Sequence, residues 1–241
     1  MAWLSKSKAD DFSYTLNSHD FIPVACHYDP NTLMTKNGEL IQIIQIHGIY
    51  SQVVRDDLVN LRNIIRETIR KNIDSDAFAF WIHTIRRKEN LDDPAPYPDL
   101  FSANLHNIWR DKNYWDDKFV NTLYISIVYH KPNLNISSVQ AFMNSLSSGV
   151  LEKFHEDYFA AAATKLRNAV DNILQDLDFF GVRRLGIRTE GDESFSELVF
   201  LFRRIINLNE KPMPIPISDL SLSLATHDYV VGNNQIQVKD S

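Results

Sequence analysis

The chain has one cysteine, Cys26, so no internal disulfide can form, which is the usual state of a protein kept in a reducing compartment. It has only seven glycines in 241 residues. None falls into G-x-x-x-x-G-K-[ST], the loop whose backbone N–H groups and lysine hold nucleotide phosphates. G-x-G-x-x-G and the G-x-S-x-G elbow are missing too. This excludes ATP binding through a phosphate loop within these residues. No stretch approaches the ~18 consecutive apolar residues of a membrane span. The opening MAWLSKSKADDF lacks the basic-then-apolar layout of a signal peptide. An excess of positive charge is also missing: net charge is −6 with His neutral and the pI is about 5.7. That weighs against a bulk nucleic-acid binder. The expectation is a cytosolic protein that reaches a membrane only through a partner.

What is present is an ordinary globular balance, 44% hydrophobic and 23% charged. The length suits one large domain or two small ones with a real core. Leu33–Lys36 and Glu39–Ile49 flank Asn37-Gly38, the signature of a type I′ hairpin. A helix is predicted from Asp56 to Asn72, with Leu58, Leu61, Ile65 and Ile69 as its apolar stripe and Arg62, Arg66 and Arg70 on another face. Ala77–Ile85 is apolar on both faces and predicts a central strand covered on each side. A proline-rich loop, residues 90–98, leads to a short helix near Phe101–Arg110. Thr122–Tyr129 alternates as a half-buried strand does, with Leu123, Ile125, Ile127 and Tyr129 on one side.

The longest predicted helix runs from Val150 to Asp178 along the seam Leu151, Phe154, Tyr158, Ala162, Leu166, Ala169, Ile173 and Leu177. Gly181 stops it, and Val182–Thr189 reads as one further strand. Ser194 and Glu197 have capping-box spacing, opening a helix with Leu198, Phe202 and Ile205 inward that ends near Asn207. Pro212, Pro214 and Pro216 forbid helix next, and SDLSLSLA is ambiguous. A last hairpin pairs Tyr229–Val231 with Gln235–Val238. The chain stops just after it, an ending expected of a cut inside a longer protein.

Candidate chemistry is sparse. Glu152, His155 and Glu156 imitate half of a di-iron motif without its second copy. Cys26-His27 lacks two further ligands for a metal, and Cys26 lacks a base partner for nucleophilic work. Asp92-Asp93 reads as loop solubility, and His47 as a structural histidine of an apolar strand. No catalytic, cofactor or metal residue is assigned. The unusual feature is three arginine pairs, Arg86-Arg87, Arg183-Arg184 and Arg203-Arg204. In an acidic chain they mark places where carboxylates dock bidentately, against the plain alternative of local surface ion pairs worth about 0–1 kcal/mol.

The order of TLMTKNGELIQIIQIHG, an arginine-rich helix, FAFWIHTIRRKEN, NTLYISIVYHKP, a long helix to LDFFGVRRLGI, and ELVFLFRRIINLNEKPMPIP resembles the amino-terminal region of the CagE/TrbE/VirB family. These are the large ATPases of type IV secretion and conjugation. The resemblance runs from Phe21 to Val238. It implies a non-catalytic amino-terminal domain, peripheral at the cytoplasmic face of the inner membrane, that docks a motor onto inner-membrane channel subunits and supports its oligomerisation. It implies no cofactor in this segment, with ATP and magnesium in the motor region, while the acidic net charge ranks nucleic acid last among the partners.

The expected fold is α+β, a mixed or largely antiparallel sheet covered by helices, with two ββαβ-like halves conceivable. Residues 1–20 read as an extension before a domain over 21–241, divisible at 21–135 and 150–241. Arg62, Arg66, Arg70, Arg86 and Arg87 are the expected interaction surface. The rival readings are a free-standing enzyme using His47, His83 or the Asp92-Asp93 loop, and a single-strand binder stacking bases on Trp81, Trp109 and Trp115.

Overall fold

The structure, a computed structural model, describes residues 14–48, 55–73, 76–88, 97–113, 119–130, 153–208, 213–216, 219–231 and 236–240. The calls on Asp92-Asp93 and Trp115 lie outside them. So do the side chains of Leu58, Leu151, Glu152, Phe154, His155, Glu156 and Tyr158.

The centre is an antiparallel sheet of β2 (Val24–Asp29), β3 (Thr32–Thr35), β4 (Leu40–Ile46), β6 (Phe119–Tyr129) and β5 (Phe78–Lys88), in that order. A sixth strand, β7 (Val182–Arg184), pairs with the end of β4 beyond β3. The fold is therefore α+β, as expected, and β7 of the second half completes the sheet begun by the first.

The β3–β4 hairpin forms where Asn37-Gly38 predicts it, but not as a two-residue turn. Thr35 N–H donates to Glu39 O (2.8 Å) and Gly38 N–H to Thr35 O (2.9 Å). Only Gly38 has positive φ, +79°. This is a three-residue loop with glycine in the left-handed position, the second commonest hairpin connection.

Both sheet faces are covered. One face carries Leu40, Ile44 and Ile46 of β4 with Ile125, Ile127 and Tyr129 of β6, beneath Phe159, Leu166, Val170 and Ile173 of the long helix α3 (Lys153–Asp176). Helix α1 (Arg55–Asn72) lies alongside α3 and adds Leu61 and Ile65 to this core. The predicted seam Ala162, Leu166, Ala169, Ile173 and Leu177 is buried. Each fully buried leucine contributes about 1.5–3 kcal/mol. After α3, Gly181 takes φ +60° at the end of a 3-10 turn and redirects the chain into β7.

The other face carries Ile41, Ile43, Tyr124 and Val128 beneath α4 (Glu197–Asn207) and α5 (Leu220–Leu224). Three expectations change here. Val182–Thr189 is two strands, because Leu185-Gly186 breaks β7 from β8 (Ile187–Glu190), which pairs only with β9 (Glu193–Ser196). The α4 cap is Ser196, whose Oγ accepts from Val199 N–H, since Ser194 is held in the β8–β9 ladder opposite Thr189. Leu198, Val199 and Leu201 form its buried face, while Ile205 is exposed.

A further correction concerns β5. It is an edge strand with Trp81 and Ile82 each 63% exposed, and the centre of the sheet belongs to β4 and β6. Helix α2 (Leu100–Asn113) is likewise exposed along Phe101, Leu105, Ile108 and Trp109. A small separate sheet joins β1 (Tyr14–Leu16), β10 (His227–Val231) and β11 (Ile236–Asp240).

Candidate docking surface and an arginine-lined cleft

Adjacent side chains on a strand point to opposite faces. Each strand-borne arginine pair is therefore split. Arg184 reaches Asp171 on α3, while Arg183 places Nη1 2.8 and 2.9 Å from the two carboxylate oxygens of Glu197 on α4. Arg86 stacks its guanidinium over the Phe119 ring at 4.5 Å, while Arg87 turns to the α4 side. The third pair is split by the 100° step of a helix: Arg204 is buried at 8% exposure, with its guanidinium 5.6 Å from the Phe200 ring centre.

One member of each pair, Arg87, Arg183 and Arg204, thus lines a single cleft of about 190 Å³ between the sheet and α4. Strand register sets its floor. Gln45 of β4 lies directly opposite Tyr124 of β6 on one side and Arg183 of β7 on the other, so all three share a face. Gln45 was not among the residues foreseen, and no local pattern marks it.

The five arginines expected as interaction surface stand on two elements. Arg62, Arg66 and Arg70 are exposed on α1, in the layer with α3, and Arg70 pairs with Glu67 (3.1 Å). Arg86 and Arg87 are exposed at the end of the edge strand. The β5 edge not facing β6 carries no strand among the described residues.

The other candidates are placed as follows. Burial pushes the Cys26 thiol up to about 11, with Asp219 adding to the effect. His27 Nε2 lies 2.9 Å from Ser196 Oγ, and burial holds its pKa below the ordinary imidazole value. Burial lowers His83 as well. His47 is exposed just past β4. Among the described residues no group of three His, Cys, Asp or Glu is placed to hold a metal. No described helix is long and apolar enough to cross a membrane.

With the α+β class and these surfaces defined, comparison with known proteins adds a family likeness. Residues 31–136, which run from the β2–β3 turn through the end of β6, match the model of the type IV secretion system ATPase VirB4/TrbE N-terminal domain. Over these residues the chain is similar to that amino-terminal domain, the family whose resemblance its sequence carries. Over 91% of its length the chain is 19% identical to the type IV secretion system protein virB4 of Bartonella henselae, covering 28% of that protein. It is 23% identical over 90% of its length to CagE of Helicobacter pylori, covering 22%. Over 45% of its length it is 28% identical to PtlC of Bordetella pertussis, covering 13%. The chain thus spans little more than a quarter of the longest-covered of these relatives.

Proposed function

We propose that this chain is the part of a type IV secretion ATPase that docks the motor onto inner-membrane channel subunits and supports its oligomerisation, working by protein contact rather than by catalysis. In this reading it sits peripherally at the cytoplasmic face of the inner membrane. ATP and magnesium are bound by a motor region of the full-length protein, outside these residues.

The observation that carries the reading is the match over residues 31–136, because that segment contains β5. An exposed edge strand presents unpaired backbone N–H and C=O groups, which a partner strand can complete. Trp81 and Ile82 supply apolar contact beside that edge, and Arg86, Arg87 and Lys88 end it with positive charge. The partner chemistry that fits is an extended apolar segment with an acidic end. The exposed apolar side chains of α2 support the same view, since clustered exposed apolar surface marks interaction sites. The Arg62, Arg66 and Arg70 face of α1 is a second candidate contact, in another layer.

The test is recovery of purified channel subunits on the immobilised chain. Charge reversal by Arg86→Glu with Arg87→Glu should lower recovery at least about tenfold, as removal of charge-assisted bonds worth about 1.5–3 kcal/mol would, with the melting temperature unchanged. Equal recovery by the folded mutant sinks the reading.

A further inference from the structure

The register of β5 decides which of its backbone groups face the free edge. In an antiparallel pair, residues that exchange both backbone bonds with the neighbour alternate with residues that exchange none. Ala77 O accepts from His130 N–H at 2.7 Å, one step before Phe78 meets Tyr129 in an unbroken register. Ala79, Trp81, His83 and Ile85 are therefore bonded inward to β6. Phe78, Phe80, Ile82, Thr84 and Arg86 turn their N–H and C=O groups to the other side, where no strand stands among the described residues.

This edge is complementary to itself. Asp76 is exposed just before the strand and Arg86 is exposed near its end. An antiparallel copy, related by a twofold axis at Trp81, sets Asp76 opposite Arg86, Phe78 opposite Thr84 and Phe80 opposite Ile82, each pair occurring twice. The Phe78–Thr84 and Phe80–Ile82 pairs join residues whose backbone groups face the free edge, so each can exchange two bonds. Trp81 falls in a pair without backbone bonds, where opposite Cα atoms come to about 4.5 Å and side chains approach closest. At 63% exposure it has surface to bury there, and so has Ile82.

Charge selects the orientation. Opposite charges facing each other across strands stabilise a pair, and like charges destabilise it. An in-register parallel copy sets Arg86 beside Arg86 and Asp76 beside Asp76, whereas the antiparallel copy sets acid beside base at both ends. Arg86 stacks the face of its guanidinium over the Phe119 ring at 4.5 Å, which keeps its in-plane N–H donors for a carboxylate. The partner that fits this edge is an extended apolar segment with an acidic end, and the chain supplies one in Asp76 followed by Phe78–Ile82.

We propose that β5 pairs antiparallel with β5 of a second copy of this chain, centred on Trp81. An axis perpendicular to the sheet keeps each face on its own side, so the two sheets continue as one. The inference rests on the oligomerisation half of the proposed function. One edge accepts one strand, so the second copy covers it only while no channel strand does.

The experiment is sedimentation equilibrium of the 241-residue chain without channel subunits. The native sequence should show a monomer–dimer equilibrium. Arg86→Glu and Asp76→Arg should each weaken it at least about tenfold, since two attractive pairs per dimer become repulsive. Mixed in equal amounts, the two variants should associate about as tightly as the native chain, because every pair across the axis is again of opposite sign. Misfolding cannot be rescued in this way. In a Cys26→Ser background, Trp81→Cys should oxidise to a disulfide-linked dimer and Thr84→Cys should not, since position 81 faces itself and position 84 does not. A monomer at every concentration, a dimer indifferent to both charge reversals, or a mixture no tighter than its components overturns the inference. So does equal crosslinking at positions 81 and 84. Each of these results leaves channel docking standing, because that reading fails on recovery of channel subunits and not on self-association.

Discussion

Arg183 and Glu197 form a two-pronged ion pair, with one guanidinium nitrogen 2.8 and 2.9 Å from both carboxylate oxygens. The same carboxylate takes Arg188 Nε at 2.7 Å and the Gly186 N–H at 3.2 Å. One side chain at the start of α4 thereby fixes β7, the break after it and β8. Glu197→Gln should destabilise the fold by about 1–3 kcal/mol, less than the roughly 3–5 kcal/mol of a fully buried pair because Arg183 and Arg188 remain partly solvated. Urea unfolding measures this. A cycle with Arg183→Gln should show coupling above about 0.5 kcal/mol, and strict additivity would contradict the pairing.

His27 makes stability depend on pH. Asp29 O lies 3.3 Å from Nδ1 and Ser196 Oγ 2.9 Å from Nε2, so the neutral ring donates at Nδ1 and accepts the serine hydroxyl at Nε2. Burial disfavours its charged form. Above the ordinary value of ~6.5 both folded and unfolded chains are neutral there, and its contribution is complete. As pH falls through ~6.5 the unfolded chain takes up a proton that the folded one resists, so stability falls. His83, lowered by burial too, acts in the same direction. The urea midpoint should drop between about pH 7.5 and 5.5, and His27→Gln should flatten part of that drop.

Cys26 should be inert in the native protein. With its pKa raised to about 11, the nucleophilic thiolate is scarce at neutral pH. Thiol reagents at about pH 8, near the free-thiol value, should label it far more slowly in the folded chain than in urea. Fast native labelling would contradict its half-buried place on β2.

The α3 seam should be sensitive to truncation. Leu166 and Ile173 are almost wholly buried against the sheet. Leu166→Ala should cost about 2–5 kcal/mol, the range for cavities left in a packed core. An exposed neighbour, Asn168→Ala, should stay within about 0.5 kcal/mol.

The legible parts of the fold were those written in local periodicity. The α3 seam and the α1 stripe follow the helical repeat, and Asn37-Gly38 announced its hairpin. Burial of strands was not legible, because it depends on which strand pairs beside which. Apolar residues on both faces of β5 read as a central strand, yet Trp81 and Ile82 lie at an edge. Gln42 and Gln45 sit in β4 although every residue of that strand is buried, with Gln42 Nε2 donating to Thr32 Oγ1 at 2.8 Å. Ser194 matched a capping box, but strand pairing claimed it first. The arginine pairs were visible in sequence. That one member of each would meet in one cleft needed the β4–β6 and β4–β7 registers, and these are set by pairs as remote in sequence as Gln45 with Arg183.

The central claim, docking through the β5 edge, is tested most directly by a photo-crosslinking residue placed at Ile82 of the full-length protein in cells that assemble the secretion channel. The account predicts a crosslink to an inner-membrane channel subunit at position 82, lost on Arg86→Glu with Arg87→Glu. Crosslinks to channel subunits from the α1 face at Arg66 but none from position 82 would contradict it.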